Sequence, residues 1–250
     1  MLRIDTVAIW AAIALAIAGC AAIGTSTQSS ESSVQTLEYY PFQVKGYQNS
    51  YPHRSMLVLV TDDTRDFSDA GAADHSPQDG NPAIGVVTDH AGTVYQRLYS
   101  SPLGAIVQTA IARSAGEAGL ESSLSPETAY QPGKKMSADY VLASKVVRCW
   151  VRKRVGADGR YGPVSATAAT FSLDVTVYKP PFRVPFWEGK SQSTYDDPPV
   201  GSFGLGPEDE AGIYDEPGQV LSVALTRAVA GIFSRPELHT LIDEDQVRPR

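Results

Sequence analysis

The sequence predicts an α+β domain in which two amphipathic helices pack on one face of a small, mostly antiparallel β-sheet. Three observations lead there. Leu103, Ile106, Val107, Ala110 and Ile111 recur at helical spacing with one apolar stripe, and Leu221, Leu225, Ala228, Val229 and Ile232 repeat the pattern later. Phe171, Leu173, Val175 and Val177 alternate with Ser172, Asp174, Thr176 and Tyr178, the period-2 pattern of a strand with one buried face. Along the chain the order reads strand, helix, three-strand meander, helix, with no internal repeat.

The N-terminus comes first. Val7 to Ala18 is an unbroken apolar run of 12 residues, the length of a signal-peptide core and short of the roughly 18–20 residues that span a bilayer. It ends in Ile17-Ala18-Gly19-Cys20. Small residues before a cysteine resemble the bacterial lipobox, where lipid is joined to the thiol and cleavage frees the cysteine's amino group. Residues 1–19 are therefore expected to be a lipoprotein signal peptide, and Cys20 the lipidation (palmitate-bearing) site. Gly24 to Ser33 is polar and lacks stop-transfer cations, which argues against an uncleaved anchor helix. Ala21, and not Asp, follows the cysteine, as in lipoproteins sent on to the outer membrane. Residues 20–36 read as lipidated Cys20 followed by a flexible tether of roughly 20 Å, 37–235 as a single α+β domain, and 236–250 as a charged C-terminal tail.

Within the domain, the tyrosines of Leu37 to Pro52 are expected to pack onto an edge. Met56 to Thr61 is a short apolar run ending at Asp62-Asp63, which fits a buried strand. Asp66 to Pro82 reads as a surface loop, and Ile84 to Val87 as a short extended piece before the Asp89–Gly92 turn. Ser101 and Pro102 look like an N-cap with proline at the first helical position, and Gly119 like the stop. Ala138 to Val155 is a long β-type segment with Val141, Ala143, Val147, Cys149 and Val151 expected on one face. Ala157-Asp158-Gly159 signals a hairpin, Pro180-Pro181 ends the returning strand, and Val184 to Tyr195 gives a third strand with Phe186 and Trp187. Asp196 to Gly218 is a long acidic loop, after which Pro217 opens the second helix and Pro236 closes it.

Composition narrows the functional classes. The net charge is −7, which argues against nucleic acid or anionic lipid as the main partner, with Arg148 to Arg154 the one basic cluster that offsets it. The chain has two cysteines. With lipid on Cys20, Cys149 has no disulfide partner within the chain and reads as a small buried hydrophobe.

The pattern resembles a family of Gram-negative envelope lipoproteins typified by YajG, and is more loosely similar to curli-export and auxiliary transport lipoproteins. Four stretches carry the resemblance: Leu57 to Arg65, Ala83 to Asp89 with Gly92, Glu117-Ala118-Gly119-Leu120, and Ala138 to Leu142 with the later Trp187-Glu188-Gly189. It implies an envelope lipoprotein without a defined reaction.

Candidates for chemistry are few. His53, His75, His90 and His239 sit singly, without metal-ligand spacing. No Gly-x-Ser-x-Gly elbow is present. Gly201, Gly204 and Gly206 are not followed by Gly-Lys-Ser/Thr and have acidic neighbours that would repel phosphate. The acidic groups Asp62/Asp63/Asp66, Asp74/Asp79 and Glu208/Asp209/Glu210 with Asp215/Glu216 do not match a calcium loop and read as solvated surface. The basic residues Arg148, Arg152, Lys153, Arg154 and Arg160 read as a solvated strand end, with contact to anionic headgroups or to the acidic loop of a neighbouring molecule as the other reading.

The expectation is a non-enzymatic, membrane-anchored lipoprotein on the periplasmic face of the outer membrane, with a binding or assembly role toward an envelope protein partner and with no cofactor and no metal. Two alternatives stand beside it: an accessory subunit of an ABC-type transport or secretion system binding lipid or peptide, and an envelope hydrolase built on Asp62, Asp63 and the loop after Asp196.

Overall fold

The computed structural model describes residues 31–41, 51, 54–65, 82–133, 136–156, 164–197 and 216–247. The elements are β1 (Glu31–Gln35), β2 (Arg54–Val58), β3 (Asp62–Asp63), β4 (Gly85–Thr88), β5 (Val94–Ser100), α1 (Leu103–Glu117), β6 (Leu120–Leu124), β7 (Tyr140–Gly156), β8 (Val164–Tyr178), β9 (Pro185–Asp197), α2 (Pro217–Phe233) and α3 (Pro236–Val247). The α+β class holds, but the sheet is not small and the helices are not two. It has nine strands, and three helices lie among the described residues.

The 17-residue strand β7 is the spine. Along one edge it runs antiparallel to β8, which pairs antiparallel to β9. Along its other edge three short strands follow one another, all parallel to it: β2 beside Tyr140–Leu142, β3 beside Lys145–Val146, and β4 beside Val151–Arg154. β6 extends the sheet beyond β2, and β5 and then β1 extend it beyond β4. The sheet is therefore mixed, its longest ladders antiparallel.

The meander is the part most directly dictated by pattern. Phe171, Leu173, Val175 and Val177 of β8 are buried as the alternation requires. On β7 the alternation resets. The register shifts between Val146 and Arg148, so Leu142, Ser144 and Val146 face inward before this bulge and Cys149 and Val151 after it. The expected face of Val141, Ala143, Val147, Cys149 and Val151 is thus correct only at its C-terminal end, and Val147 is exposed.

Helices α1 and α2 touch each other and lie on one face of the sheet, α1 over β6, β2 and β3, and α2 over β8, β9 and β7. Proline takes the N-cap position of α1 and Leu103 opens it, one place later than expected, without a side-chain cap from Ser101. Gly119 adopts φ 93° and ends the helix, with its N–H donating to Gly116 O. Gly104 lets the first turn lie against the backbone, since a Cβ there would stand 2.5 Å from Thr61 O. Gly85 does the same in the sheet, where a Cβ would meet Val151 O at 2.2 Å.

Two expected boundaries move. The tether expected over 21–36 overlaps β1, whose polar residues pair with β5 through backbone alone. The expected tail begins as helix α3, with Leu238 and Ile242, four residues apart, both buried. Helix α2 is buried almost all round; only Gln219 and Arg227 are exposed between Pro217 and Ala230. Cys20, the signal peptide, Asp66 to Asn81, Ala157-Asp158-Gly159, Arg160 and Pro198 to Asp215 lie outside the described residues.

Candidate functional site

The covering of α2 produces the first candidate site. Ser222 and Thr226 are fully buried polar residues of this helix, one turn apart. Their hydroxyls accept hydrogen bonds from the N–H groups of Glu38 (2.9 Å) and Tyr40 (2.8 Å), and Gln35 Oε1 accepts one from Gly218 N–H (3.0 Å). Tyr39 Oη donates to Glu117 at the end of α1 (2.8 Å). This clamp holds the strip after β1 along the helix layer, where its backbone groups need partners. Between the strip and α1 remains a groove of about 580 Å³, lined by Thr36–Tyr39 and by Ala105, Ile106, Thr109, Ala110 and Arg113. Leu37, Ile106 and Ala110 make it apolar, and Glu38 and Arg113 give it one charge of each sign. Its size and mixture suit a ligand with an apolar body and a polar end.

A second feature occupies the opposite face of the sheet. Arg148, Trp150, Arg152 and Arg154 follow the bulge at period 2 and share that face. Trp150, Arg152 and Arg154 join Val86, Thr88, Gly92 and Val94 around a cleft of about 260 Å³. On the β8 side the facing residues are short: Ala166, Ala168, Thr170 and Ser172. Lys153, counted with these cations as one charged stretch, has the other parity and belongs to the helix-side face.

Two buried polar clusters are structural. Beside the bulge, between β3 and β4, no strand among the described residues serves the edge of β7, and the Arg65 guanidinium fills that place. Its Nε and Nη2 donate to the two carboxylate oxygens of Asp63 (2.7 Å each), and Nη1 donates to Ala83 O (3.1 Å) and Cys149 O (3.4 Å). At the start of β7, Tyr140 Oη donates to Asp245 of α3 (2.9 Å), which also receives Lys179. Burial pushes the Asp245 carboxyl up, but hydrogen bonds from Lys179 and Tyr140 and the charges of Lys179 and Arg54 outweigh it and hold the group below its ordinary value. Burial, then the hydrogen bond to Asp245, raises Tyr140.

The sequence candidates fall apart spatially. Asp62 is exposed in β3, and Asp63 is taken by Arg65. His90 lies in the exposed turn, whereas His239 belongs to α3 and stacks on the buried Tyr51 ring at 4.5 Å. His53, His75, Asp66, Asp74, Asp79 and the glycines and acids of 201–215 lie outside the described residues. Cys149 is buried and its thiol is pushed up to about 12, first by burial and against the nearby Arg65. No group of three or more His, Cys, Asp or Glu side chains that could hold a metal occurs among the described residues. The groove was missed by sequence reasoning because its walls come from segments about 70 residues apart; Ser222 and Thr226, polar within an apolar helix, were the available signal.

No protein-family model matches the chain, and no curated protein does. Among solved structures, a protein from Xanthomonas campestris assigned to family DUF330 is 16% identical over 86% of this chain and 97% of its own, with a TM-score of 0.40. A Helicobacter pylori protein described as a homolog of a neuraminyllactose-binding hemagglutinin is 9% identical over 86% of this chain and 100% of its own, at 0.40. A Caulobacter crescentus protein described as a lipoprotein is 11% identical over 67% of this chain and 94% of its own, at 0.28. Identities and scores this low leave function to the chain's own residues. Among those described, no helix is long and apolar enough to cross a membrane.

Proposed function

We propose that this chain is a lipid-anchored envelope lipoprotein, acylated at Cys20, that works by binding an envelope protein partner and not by catalysis. The observation that carries the binding role is the groove beneath the clamped N-terminal strip: the segment that continues from the anchor is itself one wall of the cavity. The apolar run ending at Gly19-Cys20 supports the anchor, and Ala21 supports an outer-membrane address facing the periplasm. Membership of the YajG-like lipoproteins is part of the same reading. Against a hydrolase built on Asp62 and Asp63 stands the pairing of Asp63 with Arg65, which occupies both of its carboxylate oxygens.

The test is site-specific photocrosslinking in cells. A photoreactive phenylalanine replaces Thr109, exposed at the groove, or Lys190, exposed on β9 outside it. The expected result is one discrete adduct from position 109 that disappears when Ala105→Trp fills the groove, and no such adduct from position 190. Equal adducts from both positions, or an adduct indifferent to Ala105→Trp, would overturn the assignment.

A further inference from the structure

We infer that the arginine–tryptophan face of β7 rests on anionic lipid headgroups of the membrane that holds the anchor. The inference rests on the reading of Cys20 as the lipidated residue and adds to it the face that meets the bilayer. Its first support is register. Glu31 pairs with Gln96, Gln96 with Val87, Val87 with Lys153, and Lys153 with Thr167, in one row across the sheet. The chain arriving from Cys20 therefore enters the sheet level with residue 153, between the levels of Arg152 and Arg154. Three strand spacings, roughly 14 Å, separate β1 from β7. Ten residues separate Cys20 from Glu31, eleven Cα–Cα steps, so the lipid lies within about 40 Å of that junction even at full extension.

The second support is charge and shape. In a chain of net charge −7, Arg148, Trp150, Arg152 and Arg154 stand in one line, spaced about 6.6 Å apart along the strand. Arg97 joins them in the row Arg97–Val86–Arg152. Among the described residues neither Arg152 nor Arg154 is in an ion pair. The short side chains of Ala166 and Ala168 on β8 leave both arginine heads open to solvent. Among the described residues, Asp89 follows Thr88, the row partner of Arg154, and its Oδ1 accepts from Thr93 N–H at 2.7 Å, while Asp196 is two strands away in the row of Arg152. Guanidinium groups bind phosphate oxygens in fork geometry, and an amphipathic indole between them is the side chain that favours the headgroup layer. The exposed apolar pair Phe182 and Val184 lies near the Val141 level of β7, roughly 40 Å along the strand from the anchor junction.

The experiment uses the full lipidated chain in vesicles of phosphatidylcholine alone or with added phosphatidylglycerol, each containing a lipid with a nitroxide on its headgroup. Removal of the signal peptide leaves Trp150 and Trp187, and the difference from Trp150→Phe isolates Trp150 emission. Quenching should be several-fold stronger on the anionic vesicles and fall as salt rises. Each arginine near an anionic surface contributes about fivefold, so Arg152→Glu with Arg154→Glu should remove the difference, while Arg152→Lys with Arg154→Lys keeps most of it; circular dichroism checks that both fold. Equal quenching on both vesicles, or quenching indifferent to the charge reversal, overturns the inference and leaves the anchor standing. A chain that floats with neither vesicle overturns both. Flotation with anionic vesicles alone, lost on charge reversal, refutes the anchor and supports the headgroup contact.

Discussion

Arg65→Ala removes the side chain that replaces a strand at the bulge of β7, and its cost follows from the contacts. The guanidinium is 3% exposed and its partner Asp63 26%. Without Arg65, the carbonyls of Ala83 and Cys149 lose a donor each, at about 1–3 kcal/mol for a well-formed buried bond and less at the 3.4 Å contact. Asp63 is exposed enough for water to solvate it again, so the ion pair is discounted from the full value of a buried pair. Loss of the packed aliphatic arm adds to this. The expected total is about 3–5 kcal/mol, within the range for removing one partner of a buried pair. Arg65→Lys keeps the charge but cannot serve a bidentate carboxylate and two carbonyls together, and should cost about 2 kcal/mol. Urea denaturation followed by circular dichroism measures both, with m unchanged. A loss below about 1 kcal/mol for Arg65→Ala, or lysine equal to arginine, would refute the view that this guanidinium holds β3, β4 and β7 together.

Three further predictions follow from the geometry. Cys149 should resist thiol reagents in the native state at pH 8 and react only as the protein unfolds; its folded value, near 12, lies above the unfolded one, so stability is full below about pH 9 and declines as pH rises toward 12, a decline that Cys149→Ala should lessen. Native labelling as fast as that of an exposed thiol would contradict its burial. Asp245 is held below its ordinary value, so its contribution is present above the unfolded carboxyl range and lost as pH falls; Lys179→Met should weaken the attachment of α3 and flatten this acid dependence, read as hydrogen exchange in α3 against pH. Ser222→Ala and Thr226→Val each remove one buried acceptor, at about 1–2 kcal/mol, and should raise exchange at the Glu38 and Tyr40 amides while amides in β8 keep their protection.

The legible parts of the fold were those in which side chains alone report the environment. β8 is buried on one face over its length, and α1 presents one apolar stripe, so their patterns are clean. β7 was half legible, because a bulge adds one residue and moves every later side chain to the other parity. β1 and β6, with sequences Glu-Ser-Ser-Val-Gln and Leu-Glu-Ser-Ser-Leu, exist through backbone pairing with a parallel neighbour, which no local pattern announces. Helix α3 has too few apolar positions to stand out, yet Leu238 and Ile242 are buried and Asp245 is bonded to Tyr140 and Lys179. The sites follow the same division. Arg148, Arg152 and Arg154 were visible as charge, but their alignment with Trp150, and the exclusion of Lys153 from that face, depend on strand parity. The groove depends on a long-range clamp from Ser222 and Thr226 to the chain near residue 40.

The proposed anchor depends on where the mature chain begins. Mass spectrometry of the N-terminal peptide of protein purified from membranes, compared with Cys20→Ala, tests it directly. The expected mature chain starts at Cys20, carries acyl groups on that residue, and is recovered with the membrane, whereas Cys20→Ala is neither acylated nor cleaved there. An N-terminus at any other residue, or an unmodified Cys20 in membrane-bound protein, would contradict it.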